Sequence, residues 1–105
     1  MSTKLIITRC TDHLMWYRHL TGRVVPIVRD LPAEHCWLSR EPSGLTNIVR
    51  YHDASPLPQG WDAAANDTSF QRGDMVFING QWMQPALERI GTPIGKNIVI
   101  RKEST

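Results

Sequence analysis

The sequence predicts a mainly β protein, a small antiparallel barrel or rolled sheet with little helix. Three observations carry that expectation. Its apolar runs are short and closely spaced, seven glycines and seven prolines punctuate them, and no stretch keeps the apolar period of a helix face. At 105 residues the chain has the common size of one compact domain.

The elements follow in order. Lys4 to Arg9 is a short β-rich run, and Gly22 opens a second from Arg23 to Arg29, which Asp30-Leu31-Pro32 closes. Pro26 has no amide hydrogen to give, which places that strand at an edge or a bulge. His35 to Arg40 is a third strand, and Glu41-Pro42-Ser43-Gly44 reads as a tight turn. Leu45 to Tyr51 then alternates, with Leu45, Asn47, Val49 and Tyr51 on one side and Thr46, Ile48 and Arg50 on the other. Both sides are mixed, so neither is cleanly solvent. Breakers crowd Asp53 to Gly60, after which Trp61 to Ala65 reads as one helical turn. Arg72-Gly73-Asp74 reads as the turn that opens a hairpin over 74–84. At its tip, Asn79-Gly80 supplies the two positive backbone angles that a two-residue loop requires. Pro85 to Ile90 reads as a short helix stopped by Gly91, and Lys96 to Arg101 as a last strand.

From Lys4 to Leu57 the signals fall in a specific order. A first strand leads to a loop holding Asp12 and Trp16-Tyr17, then to Gly22 through Asp30, Trp37 to Arg40, Gly44 to Val49 and His52-Asp53-Ala54. This order resembles a Src-homology-3-like small β-barrel, with Glu41 to Gly44 as the tight distal turn and His52 to Ser55 as the helical turn before the last strand. The resemblance implies a barrel over residues 1–57, with 58–105 as a loop and β-hairpin extension packed on it in a single domain. It is similar to the version found in short bacterial and bacteriophage proteins, which implies a phage- or mobile-element-encoded chain acting in the host cytoplasm. The Ala-Leu-Tyr-Asp-Tyr run and paired tryptophans of the peptide-binding members are missing, so binding of proline-rich ligands is not implied, and the fold does not fix a function.

Charge narrows the partners. Net charge is +2, too weak a field to imply nucleic acid by itself. Residues 1–50 hold seven bases against four acids, and nine of the chain's twelve bases are arginine. An anionic partner is therefore expected to meet the amino-terminal half. The only apolar run near the amino terminus, Leu5-Ile6-Ile7, falls far short of the ~20 residues of a membrane helix, so no membrane partner and a cytoplasmic location are expected.

Catalytic patterns are missing. The chain has no Gly-x-Ser-x-Gly, and Gly91 and Gly95 before Lys96 stand too close together for a phosphate loop. The carboxylates are scattered singly, and His52-Asp53 reads as a turn cap rather than an acid–base pair. Cys10-x-x-His13 and His35-Cys36 supply the ligand types of a zinc site. Adjacent residues on a strand point to opposite faces, however, which sets His35 against Cys36. No enzyme activity, metal or cofactor is expected, and the two cysteines read as free, largely buried thiols.

What remains is aromatic and basic. Trp16, Tyr17, Arg18 and His19 form the sharpest patch, with Arg40 and Arg50 as charges on its rim. Tryptophan, tyrosine and arginine dominate protein interface hot spots. The expected function is a non-enzymatic binding protein that modulates or inhibits a host protein. The alternatives are a nucleic-acid-binding accessory, because ring and guanidinium also clamp a single-stranded base and its phosphate, and a structural or homo-oligomeric component whose hairpin 74–84 lends its edge to a neighbour.

Overall fold

The computed structural model describes residues 2–103. Strands account for 38% of the described residues, and no α-helix occurs among them, so the fold is mainly β, built from antiparallel sheets. The chain divides into two compact units, Met1–Gln59 and Gly60–Thr105.

The first unit contains two three-stranded sheets. One has β1 (Lys4–Ile7) between β2 (Val24–Pro26) and β6 (Ala54–Pro56); the other has β4 (Cys36–Arg40) between β3 (Arg29–Leu31) and β5 (Thr46–Arg50). A single run of chain joins them. The Ile27 amide still donates to Thr3 O at 2.8 Å on the β1 side, whereas the next amide, Val28, donates to Leu38 O at 2.8 Å on the β4 side. The strand expected over Arg23–Arg29 is thus broken in two. Pro26 ends its first half on an outer strand, and Ser39 Oγ donates to Pro26 O at 2.7 Å across the corner. Neither sheet closes on itself, so barrel closure is not seen.

Turn chemistry holds the second sheet in register. Gly44 sits at φ 98° and its amide bonds to Glu41 O, while the Glu41 amide bonds to Leu45 O. That turn sets Trp37 opposite Val49 and Leu38 opposite Ile48. Alternation then sends Trp37 and Val49 inward to a core with Leu5, Ile7, Tyr17, Val25 and Ala54. A 3₁₀ turn, Tyr51–Asp53, leads from β5 to β6.

The second unit is one sheet in the order β7 (Trp61–Ala63), β10 (Val99–Lys102), β8 (Met75–Ile78), β9 (Gln81–Met83). The Asn79-Gly80 tip forms as expected, with φ 52° and 80°. Two expectations are corrected. Trp61 to Ala63 is a strand rather than a helical turn, because Lys102, Arg101 and Ile100 pair with it, and long-range pairing overrides the local alanine preference. The helix expected over Pro85–Ile90 is only a 3₁₀ turn at Leu87–Arg89. Ala64, Phe70, Val76, Ile94 and Val99 form the core, and the Arg89 guanidinium lies 4.5 Å from the Phe70 ring centroid.

One buried ion pair fastens this unit. Asp74, 1% exposed, closes the turn after Gly73 and accepts from Arg101 Nε at 2.8 Å, Arg101 Nη2 at 2.9 Å and the Gln71 amide at 2.9 Å. Burial alone would push its carboxyl up. The Arg101 guanidinium and the Gln71 amide outweigh burial and hold it below the ordinary value of 3.8. The stabilisation is therefore complete above pH 3.8 and is lost as pH falls below it, through the folded-state value. Arg101→Met should leave a buried carboxylate unpaired and cost about 3 kcal/mol at neutral pH. Urea melts of both proteins at pH 7 and in stronger acid check this, the difference between them shrinking once Asp74 is protonated.

Candidate functional site

The first loop, residues 8–22, is where the sequence placed its aromatic patch, and it is folded by its own polar groups. Asp12 Oδ1 accepts the Leu14 amide at 3.0 Å, and its backbone oxygen accepts the Met15 amide at 3.0 Å and Cys10 Sγ at 3.1 Å. These bonds turn the chain so that Tyr17 points inward and becomes fully buried. Tyr17 is thus corrected from a surface residue to a core residue. Its hydroxyl donates to Asp53 Oδ2 at 2.5 Å and accepts the Arg50 amide at 3.3 Å. Burial, then the bond to Asp53, pushes the phenol well above its ordinary value of 10.0.

Asp53 holds the loop at its start and at Tyr17. Its carbonyl oxygen accepts the Thr8 and Arg9 amides at 2.8 and 3.2 Å, where the loop begins, and its carboxylate takes Tyr17. The other carboxylate oxygen, Oδ1, is buried without a hydrogen-bond partner among the described residues; His52 Nε2 lies 3.4 Å and Arg9 Nε 3.8 Å from it. The turn cap expected at His52-Asp53 is not made: no side chain caps the 3₁₀ turn at Tyr51–Asp53, and the Asp53 carboxylate is instead a buried anchor for Tyr17.

Trp16 is half-buried, set edge-on to Tyr17 with ring centroids 5.4 Å apart. Its Nε1 donates to Ile48 O at 2.7 Å. Trp16 thus caps the outer edge of β5, where Asn47 Oδ1 takes the Ile48 amide at 2.8 Å and Tyr17 takes the Arg50 amide. A strand edge whose central amides and carbonyl are used in this way is blocked there to a further strand. Arg18 and His19 are exposed, and Arg18 Nη1 donates back to Met15 O at 3.3 Å within the loop.

The outer face of β3–β4–β5 is different. Residues directly opposite on antiparallel strands share a face, and the register sets Arg29 against Leu38, Leu31 against Cys36, Cys36 against Arg50, Leu38 against Ile48 and Arg40 against Thr46. Leu38, half-buried, therefore sits at the centre of an apolar row with Ile48, the half-buried Leu31 and the buried Cys36, bordered by Arg29, Arg40 and Arg50. Ile48 is 38% exposed and Arg29 and Arg40 are exposed. Arg50 Nη2 reaches Asp12 Oδ2 at 3.4 Å, while Arg40 Nη1 donates to Gly44 O at 2.9 Å. The register puts two residues of the expected site, Arg40 and Arg50, on one face, at opposite ends of the β4–β5 pair. Among the described residues no hydrogen bond or ion pair joins Arg18 or His19 to that face. Sequence reasoning missed Arg29, Leu31, Leu38 and Ile48 as a group, although the Leu45–Tyr51 alternation already put Ile48 and Arg50 on one side.

Among the described residues no group of three or more His, Cys, Asp or Glu side chains is placed to hold a metal ion. Both cysteines are free, and burial, with the carboxylates of Glu34 and Asp30, pushes the Cys36 thiol up and away from the reactive thiolate. His35, at φ 54°, turns the chain into β4 and stacks on Tyr51 at 6.2 Å. The Tyr51 hydroxyl donates to Asp30, which with partial burial pushes that phenol up to about 12. In the second unit a shallow cavity of about 200 Å³ is lined by Arg72, Gly73, Asp74, Gln84, Pro85, Leu87 and Ile90. Its one buried carboxylate, Asp74, is spent on Arg101.

No family model, curated protein or solved structure matches this chain.

Two measurements check this architecture. Tyr17 and Tyr51 are the only tyrosines, and both phenols are raised, so the stability they lend is complete below pH 10 and is lost above it. Ultraviolet titration should find no tyrosinate at pH 10 in the folded protein; a phenol ionising there would show that one of the two bonds is not made. Tyr17→Phe should cost about 3 kcal/mol, since it also leaves Asp53 Oδ2 buried without a donor. Paired with Asp53→Asn in a double-mutant cycle, the loss should be strongly non-additive.

Proposed function

We propose that this chain is a non-enzymatic binding protein that modulates or inhibits a host protein, and that its first unit is a Src-homology-3-like barrel of phage or mobile-element type. The order of elements supports the barrel reading. A first strand and a long loop are followed by a bent strand that changes partner at Ile27–Val28, a hairpin with a tight turn, a 3₁₀ turn at Tyr51–Asp53 and a last strand returning to β1.

The observation that carries the binding reading is the contrast between the two outer surfaces of β5. Its backbone edge is closed by Trp16, Tyr17 and Asn47, whereas its face carries Ile48 beside Leu38 within a border of arginines. An aliphatic centre with a polar, charged rim is the anatomy of a protein interface. Arginine suits that rim because its planar fork pairs with a carboxylate through two parallel bonds. Trp16 then serves as the wall that fixes the border of the face.

Affinity capture from the host, compared across variants, tests the reading. Leu38→Asp and Ile48→Asp, each placing a charge in the apolar row, should reduce capture at least roughly tenfold, as truncating an interface centre does. Arg18→Ala, in the loop, should leave capture near the wild-type level. Undiminished capture by both face variants would overturn the assignment of this surface.

A further inference from the structure

We infer that the partner of the β3–β4–β5 face is an acidic protein surface, one that sets an apolar side chain over Leu38 and surrounds it with carboxylates facing Arg29, Arg40 and Arg50. The inference rests on the binding reading and adds the chemistry of the partner. Arg29 lies directly across from Leu38 on one side, Ile48 on the other, and Arg40 two residues along the same strand. Opposed Cβ atoms are about 5 Å apart and same-face neighbours along a strand about 7 Å. One apolar side chain seated on Leu38 therefore comes within guanidinium reach on several sides.

The chain itself offers little counter-charge there. No carboxylate belongs to this face of the three strands: Asp30 occupies the alternate position, opposite Trp37, and its carboxylate takes the Tyr51 hydroxyl. Among the described residues no carboxylate lies within ion-pair distance of Arg29 or Arg40, and Arg50 has only Asp12, at 3.4 Å. Two guanidiniums beside the apolar centre, Arg29 and Arg40, are left for an outside partner to neutralise, while Arg50 already faces Asp12.

Other occupants fit less well. A second copy of the same face would bring arginines against arginines, a like-charge contact that opposes association. Single-stranded nucleic acid binds on aromatic platforms, and no residue that the three strands place on this face carries a ring. Trp37 points the other way, into the core.

The test is an NMR titration of the full ¹⁵N-labelled chain with three probes: the peptide Ac-Glu-Glu-Leu-Glu-Glu-amide, its lysine counterpart Ac-Lys-Lys-Leu-Lys-Lys-amide, and a thymidine oligonucleotide. The acidic peptide should shift the amides of Leu31, Leu38 and Ile48, more weakly as salt is raised, and the lysine peptide should leave them in place. Arg29→Glu with Arg40→Glu should weaken the acidic peptide at least roughly tenfold; unmoved Trp37 and Val49 signals report that this double variant is folded, and Leu38→Gln serves as a second, uncharged variant. An equal response to both peptides, no response to the acidic one, a response to the oligonucleotide alone, or undiminished affinity in the arginine variant would overturn the inference. The binding reading is judged separately. If Leu38→Asp still abolishes host capture while the acidic peptide fails, the face stands and only the partner's chemistry is wrong.

Discussion

Asp53 is the residue on which the first unit depends. It stands where the 3₁₀ turn hands the chain to β6, and its carbonyl oxygen holds the amides that begin the first loop. Its carboxylate holds the phenol that ends the loop's inward turn, and that phenol in turn takes an amide from β5. Three distant stretches of chain are therefore tied through one side chain and one carbonyl in a region closed to water. There the bonds are stronger than in solvent and each unmade one is costly. The bulk of the loop could vary, but not its closure.

That closure decides what the rest of the surface can do. With Tyr17 drawn into the core, Trp16 is left at the margin of β5, where its indole N–H can reach Ile48 O. The edge strand is thereby protected, a common need of open sheets, and the side-chain face remains the surface open to a partner. Ser39 and Pro26 do comparable work at the other side of the unit, bridging the corner where one strand passes from the first sheet to the second. The second unit uses the same principle with different chemistry. There the buried carboxylate is Asp74 and its partner a guanidinium that also takes Ser69 O, so a turn and a strand are fastened by charge.

The local signals that were legible are those whose cause is local. Asn79-Gly80 needs two positive backbone angles and has them; Gly44 ends the turn after Glu41 for the same reason. Pro26 announced an outer strand because it has no hydrogen to donate. Trp61 to Ala63 misled because alanines favour a helical turn, while the partner that makes them a strand, β10, lies about forty residues on. In the run from Arg23 to Leu31 Pro26 marked an edge or a bulge but not the change of partner, since that change is set by which neighbour, β1 or β4, each amide meets. Tyr17 could not be assigned to the core from its neighbours Trp16 and Arg18, because its acceptor stands 36 residues away.

Sequence by itself determined the β character, the turns, the absence of a repeated helical face, and the excess of arginine in the first half. These follow from dihedral preferences, periodicity and charge, which each residue carries wherever it is placed. Only the tertiary structure decided that Tyr17 is a buried donor, that Trp16 is an edge cap, and that Arg29, Arg40 and Arg50 surround Leu38. Those outcomes depend on strand register, and register is fixed by contacts between residues far apart in the chain.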